Sequence, residues 1–155
     1  MLVKADILNT GYEVLFTGIS GAFIAQVIKF VLHLIIKKKM DFKLFTTTGG
    51  MPSSHSAGVV GIATSVGIIS GFSSIAFSIA MGYAIVVMYD AAGLRRASGK
   101  MAVCLNKIMD DFYKHDVQSV GGKLKELLGH TPIEVFAGAA LGVAYAYYIH
   151  FYVLQ

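Results

Sequence analysis

Read as hydrophobic and polar positions, the chain is a series of long apolar runs separated by short polar breaks. Across residues 14–36 the polar interruptions are Thr17, Ser20, Gln26, Lys29 and His33, and the run stops at Lys37, Lys38 and Lys39. At ~1.5 Å per residue, a helix of that length crosses a hydrocarbon core of ~30 Å. Runs at 56–69 and 75–92 are separated by Ser70 and Gly71, punctuation that predicts an antiparallel hairpin. Gly58, Gly61, Ala63 and Ser65 would let its neighbours approach closely. The last run, 132–154, opens with Pro132 where a helix tolerates proline. It closes on Tyr145, Tyr147, Tyr148, Phe151 and Tyr152, an interfacial aromatic belt. Between the third and last runs lies the one extended polar stretch, 95–130, with helical spacing at 101–108 and 123–128, read as a segment at the membrane surface.

This pattern predicts an all-α fold: a polytopic transmembrane helix bundle in a single domain, 1–155. The four expected spans are 13–36, 56–70, 74–93 and 132–154, with 95–130 as the polar surface segment. Composition agrees, because 55% of residues are hydrophobic and 14% charged, where ordinary soluble domains carry about 25% charged residues. A core this small cannot hide so much apolar surface, so the surplus must face the lipid bilayer or a protein partner. Two short middle spans leave a homo-oligomer as an option.

The net charge of +4 is clustered rather than spread. Lys37, Lys38, Lys39 and Lys43 form one group, and Arg95, Arg96, Lys100 and Lys107 another. Basic clusters beside apolar spans set topology, and no nucleic-acid partner is expected. Four crossings put both groups on one side, which the positive-inside rule makes cytoplasmic. The expected location is therefore integral to a bacterial-type plasma membrane or its organelle equivalent. Asp6 and Glu13 interrupt any signal-peptide pattern, so the first span is read as retained. Cys104 has no second cysteine for a disulfide or a thiolate metal site. Lys29 and His33 share a helical face with Gln26, and Lys29 is read as snorkelling toward the basic end of its span.

Three polar constellations fall on the cytoplasmic side. The first is Gly49 to Ser56, where Pro52 is read as starting a helix whose free N–H groups can receive an anion, with Ser53 and Ser54 adding hydroxyls and His55 a proton donor. A plain helix cap would use the same residues. The second joins Tyr89 and Asp90 to Arg95, Arg96 and Lys100. Arginine forks bind phosphate oxygens bidentately, and Lys100 lies on the face of Arg96. Asp90, near the end of an apolar run, needs a partner, and Arg95 or Arg96 would supply it. The third is Gly129 to Glu134, in which His130 and Glu134 are four residues apart. A helix beginning there lets the carboxylate hold one ring nitrogen while the other attacks. No metal site is expected, since Asp110, Asp111 and Asp116 lack tight ligand spacing. His33, His115 and His150 read as structural or interfacial.

These residues resemble the divergent branch of the type 2 phosphatidic acid phosphatase family, which is related to acid phosphatases and vanadium-dependent haloperoxidases. Met51 to Ser56 resembles that family's Pro-Ser-Gly-His motif, with Ser54 in the glycine place, and His130 to Glu134 resembles its final motif, with Glu134 for the usual aspartate. Tyr89 to Arg96 is similar to the branch's Tyr-Asp-Ala-x-Gly-x-Arg-Arg pattern. The resemblance implies an integral-membrane lipid-phosphate phosphatase without a cofactor. His130 would attack phosphorus, His55 protonate the leaving oxygen and Glu134 orient His130, with a phosphohistidine hydrolysed by water. The implied substrate is a membrane-lipid phosphomonoester or pyrophosphate: phosphatidylglycerophosphate, phosphatidic acid or a prenyl pyrophosphate. The chain departs from the wider family at Leu124, where an arginine six residues before the histidine is usual, and in having no Lys-x6-Arg-Pro before Met51. Arg95, Arg96 and Lys100 would be the replacement cations. Competing expectations are a non-catalytic module that binds lipid phosphates or serves an assembly, and a vanadate-binding haloperoxidase.

Overall fold

The computed structural model describes residues 7–38, 50–112 and 129–155, except for the side chains of 94–96 and 110–112. It is an all-α membrane bundle. Helix α1 is Gly11–Lys37, α2 is Ser54–Ser70, α3 is Ile75–Ala92, α4 is Leu94–Phe112 and α5 is Pro132–Tyr148, which runs on into a π-helical turn at Ile149–Leu154. The runs Gly11–Lys37, Ile75–Met109 and Pro132–Leu154 are long and apolar enough to cross a membrane, and α2 is a shorter apolar helix.

The helix starts follow from side chains that satisfy the first backbone N–H groups, which no carbonyl inside the helix can reach. Thr10 accepts from the Tyr12 N–H at 3.3 Å, so α1 begins at Gly11. Ser53 accepts from the Ser56 N–H at 3.3 Å, so α2 begins at Ser54 rather than at Pro52. Ser74 accepts from the Phe77 N–H at 3.1 Å and opens α3. At the other end of α1, Lys37 occupies the last turn, where the carbonyl end of the dipole favours a cation. Lys38 then turns left-handed and donates its N–H to Leu34 at 2.9 Å. Gly71, at φ 90°, makes the corner between α2 and α3, and its carbonyl accepts from Ser74 N–H at 3.1 Å. Of the polar segment expected at 95–130, residues 95–112 lie in α4, and 113–128, with His115, Asp116 and Leu124, lie outside the described residues.

Helix α2 is the centre of the bundle, packed against α1, α3 and α5. Its buried positions are mostly small: Ala57, Gly58, Gly61, Ala63, Ser65 and Gly67 among them. Lipid tails are as apolar as a leucine side chain, so helices in a bilayer gain by close backbone approach instead of by hiding apolar area. Gly142 of α5 shows how close that approach is, since a Cβ there would lie 2.5 Å from the Ala57 carbonyl and 2.9 Å from the Gly61 nitrogen. A Cβ on Gly138 would strike the Ser53 carbonyl. The large apolar side chains Leu15, Ile19, Phe23, Ile79, Val86 and Phe136 point outward, as lipid contact requires.

The order of crossings brings the end of α1, the start of α2, the end of α3 and the start of α5 to one end of the bundle. At the opposite end, Glu13 in the first turn of α1 meets His150, with Oε1 2.7 Å from Nδ1. The other oxygen of Glu13 accepts from the Asn9 N–H at 2.7 Å. His150, read from the sequence as structural or interfacial, is buried and takes the structural part.

Candidate functional site

Two backbone hydrogen bonds tie three helix termini together. The Ser53 N–H donates to the Glu134 carbonyl at 3.0 Å, and the His130 N–H donates to the Ala91 carbonyl at 3.1 Å. The starts of α2 and α5 are thereby held against each other and against the end of α3. Helix starts carry unsatisfied N–H groups and the positive end of the dipole, so two of them side by side favour an anion between them.

Thr131 caps α5, and Glu134 completes a capping box: its backbone N–H donates to Thr131 Oγ1 at 3.4 Å while its Oε2 accepts from the Thr131 N–H at 3.0 Å. The same Oε2 stands 3.1 Å from Nδ1 of His130. An ionised carboxylate only accepts, so in this pair the imidazole carries its proton on Nδ1. His130 is 2% exposed, whereas His55, in the first turn of α2, is exposed. Their rings meet edge to face, with centroids 6.3 Å apart and planes at 68°.

The structure therefore brings His55, His130 and Glu134 into one cluster. Ser53 is fully buried and its hydroxyl is engaged as the cap of α2 and by Ser56 Oγ at 3.1 Å, so its visible part is to hold the helix start. Ser54 is buried at the first helical position. Asp90 is half-buried, next to the Ala91 carbonyl that holds His130. Arg95 and Arg96 lie in the first turn of α4, and their side chains are outside the described residues, as is their expected pairing with Asp90. Lys100 is exposed on α4, one turn farther along.

Lys29 differs from its reading as a snorkelling residue. It is 4% exposed, and its charge lies in the field of Glu134. Its stem is covered by Gly50, where a Cβ would come 3.2 Å from Lys29 Cδ. The face it shares with His33 was visible in the sequence; that Gly50 and Met51 come to lie against this face was not.

The matching family model is that of the divergent PAP2 family, over residues 10–145. The chain is also 40% identical, over 139 residues, to an uncharacterized membrane protein, YuiD, of Bacillus subtilis (strain 168), a match covering 83% of this chain and 88% of that protein. No solved structure matches.

Proposed function

As the chain belongs to the divergent PAP2 family, we propose that it is an integral-membrane phosphatase of a lipid phosphomonoester or pyrophosphate, working through a phosphohistidine. The observation that carries this reading is the His55–His130 pair, 6.3 Å between ring centroids, with Glu134 on Nδ1 of His130. An in-line transfer needs one ring nitrogen about 3 Å from phosphorus and the other within a hydrogen bond of about 3 Å of the leaving oxygen, and neighbouring imidazoles at the starts of α2 and α5 support that division of roles.

His130 Nε2 attacks phosphorus, the bond from phosphorus to the lipid oxygen breaks, and His55 delivers a proton to that oxygen. Water, deprotonated by His55, then attacks the phosphohistidine, releasing phosphate and restoring both imidazoles. Glu134 stabilises the Nδ1 proton throughout, which fixes the ring and supports the positive charge that forms on it. The starts of α2 and α5, with Arg95, Arg96 and Lys100, would meet the charge on the phosphoryl oxygens, since such transfer is mostly positioning and electrostatics. The basic groups at 37–43 and 95–107 support a position of this end at the cytoplasmic leaflet.

The test is phosphate release by purified protein in nanodiscs containing phosphatidylglycerophosphate, phosphatidic acid or a prenyl pyrophosphate. Release that His130→Gln and Arg96→Ala both abolish is the expected result. Tight lipid binding without any release would favour a lipid-phosphate-binding module instead. Accessibility labelling of a cysteine placed at His55 from the cytoplasmic side tests the orientation.

A further inference from the structure

A cavity of about 380 Å³ opens between α1 and the residues just before Pro52, lined by Lys29, Leu32, His33, Ile36, Gly50 and Met51, and Lys29, in the field of Glu134, connects it to the histidine cluster. The mechanism above uses none of these residues. Lys29 and His33 are one turn apart on the same face of α1, and both reach this cavity. An ammonium held 4% exposed inside an apolar span is costly without an anion to face. The carboxylate nearest in its field, Glu134, already accepts from Thr131 and holds His130 with the same oxygen, while an ammonium offers three donors. His33 adds a buried Nδ1 that has no hydrogen-bond partner. Gly50, at φ 85°, lays its backbone on the lysine stem and so restricts where the ammonium can point. The remaining lining is apolar, with Ile36 and Met51 exposed.

We propose that this cavity is a second anion subsite, which holds the phosphate of the substrate that is not transferred, so that the preferred substrate is a lipid bearing two phosphates. It rests on the reading of His55 and His130 as the transfer centre for the position of the first phosphate. Lys29 supplies charge and His33 a ring nitrogen to the retained phosphate, and Leu32, Ile36 and Met51 flank the lipid stem. Lys29 also links the two subsites, because Glu134, which holds His130, is in the field of its charge. A lipid with a single phosphate leaves Lys29 facing Glu134 alone, and is bound less well. Two sources share the required chemistry: a glycerolipid with a phosphodiester and a terminal phosphomonoester, and a prenyl diphosphate.

The experiment measures equilibrium binding in nanodiscs to the full chain carrying His130→Gln, so that no lipid is consumed. Its three probes are phosphatidylglycerophosphate, a prenyl diphosphate and phosphatidic acid. The expected result is binding of one two-phosphate lipid about 10-fold or more tighter than phosphatidic acid. Adding Lys29→Met should weaken that lipid by about 10- to 100-fold, the scale of a charged hydrogen bond, and phosphatidic acid by less than about threefold. His33→Leu should reduce the preference in part, and Lys29→Arg should preserve it. Which of the two lipids shows the effect identifies the source. Equal affinity for all three lipids, or a preference that survives both Lys29→Met and His33→Leu, overturns the subsite. Turnover by the chain with His130 intact is scored separately: no phosphate release from any lipid contradicts the phosphatase reading, and the binding preference still decides the subsite.

Discussion

A single oxygen of Glu134 serves two neighbours, accepting from the Thr131 N–H at 3.0 Å and standing 3.1 Å from His130 Nδ1. Helix start and imidazole are thus set by one carboxylate, and the two roles separate under substitution. Glu134→Gln keeps an acceptor for the cap but loses the charge that orients and supports the imidazole. Phosphate release should fall by about 10²- to 10⁴-fold, in the range for a mispositioned or mis-protonated catalytic histidine. Thermal stability should change little, by about 1 kcal/mol or less, the worth of a cap. Thr131→Ala should show the reverse, a loss of about 1 kcal/mol with the rate per folded molecule nearly kept. Paired unfolding and turnover measurements on both variants check this.

Gly138 and Gly142 control the spacing of α2 and α5. Gly138→Ala drives a methyl group into the Ser53 carbonyl, at the helix start that carries His55, and backbone cannot swing aside as a side chain can. It should cost about 1 to 3 kcal/mol and lower turnover more than its stability loss explains, since the His55–His130 spacing moves with it. Gly142→Ala, one turn deeper against Ala57 and Gly61, should destabilise to a similar degree and spare more of the rate per folded molecule. Measuring kcat against the folded fraction separates the two.

At the far end of the bundle, removing either member of the Glu13–His150 pair leaves the other buried without its partner. Glu13→Leu or His150→Leu should each cost about 1.5 to 3 kcal/mol, and the double variant less than the sum of the two. Because the pair is at the end opposite His130, kcat of the folded protein should stay within about twofold of the parent. A double-mutant cycle by thermal unfolding in detergent reads the coupling.

The helical class and the membrane character were legible because apolar runs of span length are local signals. The His130–Glu134 contact was legible as well, though for another reason than helical spacing: α5 begins at Pro132, and Glu134 reaches back across the Thr131 cap to His130. The start of α2 was less so: Pro52 reads as a first-turn residue, but Ser53 takes the cap and moves the helix start to Ser54. The positions that escaped depend on distant partners. Glu13 and His150 are 137 residues apart and meet only once α1 and α5 are side by side. Lys29 reads as a snorkelling residue from α1 alone, and its burial depends on Gly50 and Glu134, which other parts of the chain bring to it. A charge inside a span defaults to the bundle interior, and that rule was the available signal for Lys29.

The central claim is a covalent phosphate on one imidazole, and quenching turnover of a ³²P-labelled lipid phosphate in alkaline detergent tests it most directly. The expected result is an acid-labile, base-stable phosphoprotein mapped to His130, absent in His130→Gln and accumulating in His55→Ala with a substrate whose leaving group needs no protonation. Label on another residue, or brisk phosphate release by His130→Gln, would contradict it.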